Sequence, residues 1–108
     1  PLVLGFAALL PFKTPDPEDV LITLAHASGT IAVGVHCRGA VWTGSMTESQ
    51  PTDEELKKVI GAFQSCTRHR SVVFRSNHPL DLRANVIELV DRLRGAGAVH
   101  IHEAAQAK

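Results

Sequence analysis

The chain has 108 residues and carries 11 Lys+Arg against 11 Asp+Glu, so its formal net charge is zero. That length holds one domain, and 44% hydrophobic with 20% charged residues supports a single modest core. The charge balance excludes a nucleic-acid binder that relies on bulk phosphate attraction, and a chain without Tyr and with one Trp offers few base-stacking platforms.

Residues 1–12, PLVLGFAALLPF, are apolar and uncharged. A membrane-spanning helix needs about 20 such residues, so the stretch cannot span alone. It also lacks the basic start and cleavage pattern of a signal peptide. It reads either as the outer end of a membrane helix or as a strand packed on the domain. Lys13 to Pro17, with Pro15 and Pro17, is a stiff polar connector. This order predicts a tethered extramembrane domain: segment and linker over 1–18, a globular domain over 19–104, and a tail over 105–108.

Val20 to Leu24 is β-rich, and Ser28-Gly29 supplies a turn. Thr30 to Cys37 alternates as a second strand, and Arg38-Gly39 turns it into a third over Ala40 to Thr43. Thr52-Asp53-Glu54-Glu55 is a capping box that opens a helix, with Leu56, Val59, Ile60 and Phe63 on one stripe. This helix is expected to fade near Ser65 to Thr67. Ser71 to Phe74 is a short apolar strand. A second helix opens near Asp81, buries Leu82, Val86, Leu89, Val90 and Leu93, and stops at Gly95-Ala96-Gly97. Ala98 to His102 closes the chain as a strand. The order β-β-β-α-β-α-β predicts an α/β (α+β) two-layer sandwich: one mixed sheet covered on one face by both helices.

The side chains that carry chemistry are scattered. His100 and His102 share a strand face, but a third metal ligand from His26, His36 or Cys37 has no recognisable spacing, so no metal or cofactor is expected. His36 and Cys37 are neighbours in a strand and point to opposite faces, so they are no catalytic pair. The sequence holds no nucleophile elbow, phosphate loop or paired carboxylates, and no enzyme is expected. Arg68 and Arg70 in the Thr67–Arg70 loop, with Arg38 and Arg75, are the candidate anion-binding side chains; cations just past a helix C-terminus are also favoured without any function. Cys37 and Cys66 permit one bridge or two free thiols.

The second half resembles the ExbD/TolR family of biopolymer transport proteins. Val72-Val73-Phe74-Arg75-Ser76-Asn77 is similar to the family's V-x-(L/I)-R-A-D. Val86-Ile87 with Asp91-Arg92-Leu93-Arg94-Gly95-Ala96-Gly97 is similar to its V-V…M-D-x-x-R-x-A-G helix. The likeness covers roughly residues 30–102; Asn77 replaces the family's Asp, the Tyr that opens its second helix is missing, and one residue is inserted. The resemblance implies the periplasmic, homodimeric domain of an inner-membrane motor driven by the proton gradient, working with membrane subunits of the ExbB/TolQ type. Its implied ligands are peptidoglycan or an extended partner peptide. Residues 1–12 hold no Asp, so the family's proton-carrying carboxylate is not in this chain.

In a periplasmic domain Cys37 and Cys66, one ending a strand and the other a helix, are expected within about 7 Å at one end of the sheet. The expected dimer edge is Val99-His100-Ile101-His102, or else the strand that begins near Val20, since an uncharged edge without proline pairs readily. The alternative class is a cytoplasmic regulatory module of the anti-sigma-factor-antagonist type, with reduced cysteines.

Overall fold

The computed structural model describes residues 10–66, 71–77 and 84–104, with backbone alone at 84 and 85. Among the described residues, one mixed six-stranded sheet carries two helices on one face. The strands are β1 (Phe12–Lys13), β2 (Val20–Ala27), β3 (Thr30–Cys37), β4 (Ala40–Thr47), β5 (Ser71–Ser76) and β6 (His100–Ala104). Helix α1 (Asp53–Gln64) links β4 to β5, and α2 (Ala84–Gly95) precedes β6. Across the sheet the order is β1-β6-β5-β2-β3-β4.

Strand alternation makes the core. Val20, Ile22 and Leu24 of β2, Ile31, Val33 and Val35 of β3, Val72 and Phe74 of β5, and Ile101 of β6 face one way and are buried. Leu56, Val59 and Phe63 of α1 and Val86, Leu89, Val90 and Leu93 of α2 close over them in the same cluster. Burying that apolar surface is the main force holding the two layers together.

Local chemistry sets the ends of these elements. Ser28 and Gly29 both take positive φ, which a two-residue hairpin needs to match the twist of its strands. Thr52 Oγ1 accepts from the Glu55 amide at 3.1 Å, and Glu55 Oε1 accepts from the Thr52 amide at 2.8 Å, so the capping box is complete. At the end of α2 the Ala98 amide reaches the Leu93 carbonyl at 2.9 Å and the Gly97 amide the Arg94 carbonyl at 3.1 Å. Gly97 at φ +117 makes this a Schellman stop.

Four expectations need correction. Lys13, assigned to the linker, continues a strand from Phe12, the last residue of the apolar segment, and the two run parallel to β6 at Glu103 and Ala104. Neither expected dimer edge is an outer strand: β6, which holds His100, Ile101 and His102 and begins just after Val99, lies between β5 and β1, and the strand beginning at Val20, β2, lies between β3 and β5. The closing strand spans His100–Ala104, two residues later than its sequence signal, because Ala98 is held in the Schellman stop. The third strand runs on from Thr43 to Thr47, since β3 offers an unbroken partner as far as Thr30. The predicted start of the second helix near Asp81 and Leu82, and the tail over 105–108, lie outside the described residues.

Candidate functional site

Cys37 closes β3 and Cys66 follows α1, and a disulfide joins them with their Cα atoms 5.9 Å apart. The bridge ties the β4 and α1 segment back to the sheet. It also removes Cys37 from any ligand set. His26 and Glu48 meet at the far end of β2: Nδ1 donates to Glu48 Oε2 at 2.9 Å. His100 and His102 lie on one strand with ring centroids 6.5 Å apart, and His36 stands 3.5 Å from the Thr23 hydroxyl. Among the described residues no three metal-ligating side chains come together.

Of the four candidate arginines, the two among the described residues, Arg38 and Arg75, are not brought together. Arg38 sits in the turn after β3, its side chain 80% exposed, and its guanidinium donates to Glu18 at 3.3 Å. Arg75 projects from the face of β5 opposite the core, level with Thr23 in the middle of β2. The register leaves Arg38 beyond Cys37, where β2 begins, so the two are separated along and across the sheet. Arg68 and Arg70 lie outside the described residues.

A second cationic site went unread in the sequence. Lys57 and Arg92 rim a groove of about 320 Å³ between α1 and α2, with Ile60, Gln64, Gly95 and Ala96 along it. Asp53 accepts from both, from Lys57 at 3.2 Å and from Arg92 at short range. The Arg92 hydrogen bond, followed by that of Lys57, holds the Asp53 carboxyl below its usual range. Lys57 and Arg92 are 35 positions apart in the chain, and only the packing of the helices makes them neighbours.

Asn77 acts as structure. Asn77 Oδ1 accepts from the His26 amide at 2.8 Å and its Nδ2 donates to the His26 carbonyl at 3.4 Å. The side-chain amide therefore extends the β2–β5 ladder by one step. A carboxylate at this position would supply no donor for that carbonyl.

The charged connector is fixed at both ends. Lys13 Nζ lies 2.8 Å from Asp19 Oδ1, and the Asp16 amide donates to Asp19 Oδ2 at 3.0 Å. Burial pushes the Asp19 carboxyl up, but its hydrogen bonds, that of Lys13 first, together with the Lys13 charge outweigh it, and the carboxyl is held below its usual value. Glu55 is likewise held low, first by the Thr52 amide and then by that of Thr47.

Compared with known proteins, the sequence matches no family model and no curated protein.

Proposed function

We propose that the chain is the extracytoplasmic domain of an ExbD/TolR-like component of a proton-motive-force-driven complex, and that it acts by binding rather than by turnover. The observation that carries this reading is the Cys37–Cys66 disulfide, since such bonds persist in oxidising compartments such as the periplasm. The sheet with two helices on one face supports it as well, and so does the Asp91-to-Gly97 segment, which ends α2 in the stop its sequence encodes.

The ligand in this reading is cell-wall polymer, which bears carboxylates, or an extended segment of a partner protein. Arg38, Arg75, Arg68 and Arg70 would take carboxylates by bidentate, charge-assisted pairs, and the Lys57–Arg92 groove adds a second such place. Retention on purified peptidoglycan at low and high salt tests the reading, with an Arg68→Ala/Arg70→Ala double variant and an Arg38→Ala/Arg75→Ala double variant alongside. Arginine-led binding weakens as salt rises. Retention that ignores both salt and the variants refutes the arginine assignment, and no retention at all removes the cell-wall ligand.

A further inference from the structure

Among the described residues β4 is the outermost strand on one side of the sheet, opposite the two-residue β1. Its eight residues, AVWTGSMT, contain no charge and no proline. An edge with neither defence is a template for another strand. Cys37 and Ala40 flank a two-residue turn and so form the hydrogen-bonded pair next to it. Alternation then turns the amides and carbonyls of Ala40, Trp42, Gly44 and Met46 toward β3. The Glu48 amide, which bonds the Gly29 carbonyl at 2.9 Å, keeps the same phase. Val41, Thr43, Ser45 and Thr47 therefore turn theirs outward, and among the described residues no backbone group pairs with the first three.

Thr47 is different. Its amide donates to Glu55 Oε1 at 3.1 Å and its hydroxyl to Glu55 Oε2 at 3.2 Å. The capping-box carboxylate of α1 thus blocks the edge at that residue. A strand added here has Val41 to Ser45 to pair with, and any register that draws on Thr47 must first displace Glu55.

We propose that the occupant is β4 of a second copy of this chain, antiparallel about a two-fold axis at Thr43. Val41 then faces Ser45 of the second copy, Thr43 faces Thr43, and the three outward residues of each copy exchange about six backbone hydrogen bonds. No antiparallel register uses all three outward residues on both strands except this one, and it leaves the Glu55 clasp intact. Charge selects the same orientation. The turn before β4 carries Arg38, and the far end carries Glu48 and Glu55. Antiparallel self-pairing brings Arg38 of each copy level with Glu48 of the other, whereas a parallel arrangement sets like ends together. The result is one continuous sheet of both copies, with the open faces of the two sheets in line. This interface stands on the edge alone and does not depend on the transport reading.

Mass by light scattering over a concentration series, with far-UV circular dichroism of each variant, tests it. The wild type is expected to reach dimer mass at high micromolar concentration. Thr43→Pro removes an outward amide and leaves the β3 ladder in place. Thr43→Lys sets two lysines face to face. Each is expected to raise the dissociation constant about tenfold or more with unchanged dichroism. Thr43→Cys is the positional test, because facing Cα atoms in such a pair stand about 5.5 Å apart, within disulfide range. Mild oxidation is expected to cross-link Thr43→Cys into a dimer and to leave Val41→Cys monomeric. A monomer mass at every concentration overturns the proposal. So does a dimer that folded Thr43→Pro leaves intact, or equal cross-linking at 41 and 43.

Discussion

Reducing the Cys37–Cys66 bond is the perturbation whose size follows most directly from the structure. The cysteines are 29 positions apart, and the loop they close holds a hairpin turn, all of β4 and all of α1. Freeing a loop of that length gives the unfolded chain an entropy worth about 3.6 kcal/mol at room temperature. A domain of this size is stable by only about 5–15 kcal/mol, so the loss is a large share. With a urea slope of about 1–1.5 kcal/mol per molar, the midpoint falls by about 2.5–3.5 M. Urea denaturation followed by Trp42 fluorescence, with and without reductant, measures the shift on one sequence and avoids the cavity that truncating the buried Cys66 would open. A midpoint that moves by less than about 0.5 M refutes the reasoning. It would mean that β4 and α1 are held as tightly by packing in the unfolded ensemble as by the bridge.

Three further outcomes follow from particular contacts. Because the Asp19 carboxyl is held low in the folded state, the unfolded chain takes the proton first. The stabilisation is therefore full above about pH 4 and is lost as pH falls through the folded value. Asp19→Asn is expected to flatten the acid limb of stability against pH, and identical limbs for both proteins refute the assignment. A methyl at Gly44 would collide with the Trp42 indole that lies over it, so Gly44→Ala is expected to cost about 1–3 kcal/mol and to red-shift the emission of the only Trp; unchanged emission counts against that packing. Asn77→Asp removes the donor to the His26 carbonyl and is expected to cost about 1 kcal/mol in the same urea assay, whereas a neutral result means that water replaces it.

Local signals carried much of the architecture. The capping box over Thr52 to Glu55, the apolar stripe Leu56, Val59 and Phe63, the Ser28-Gly29 turn and the glycine stop at Gly97 are each decided within a few residues. They rest on backbone φ, helical period and nearby amides. With two helices each apolar on one side, a sheet covered on a single face follows from the same pattern. The arginines and histidines were legible as residue types only, because whether Arg38 and Arg75 converge depends on where their strands lie.

Lateral order in the sheet belongs to the tertiary structure. β5 enters beside β2 rather than beside β4, its neighbour in the chain, and that choice buries Val20 and leaves β4 outermost. It also brings Cys66 to Cys37, Asn77 to His26 and Arg92 to Asp53. The cysteine pair is expected from the elements the two residues end, but the other two pairings are encoded near neither partner. Strands present the same backbone groups to any neighbour, so their order is selected by how much apolar surface the whole assembly buries, a quantity that no short stretch of sequence contains.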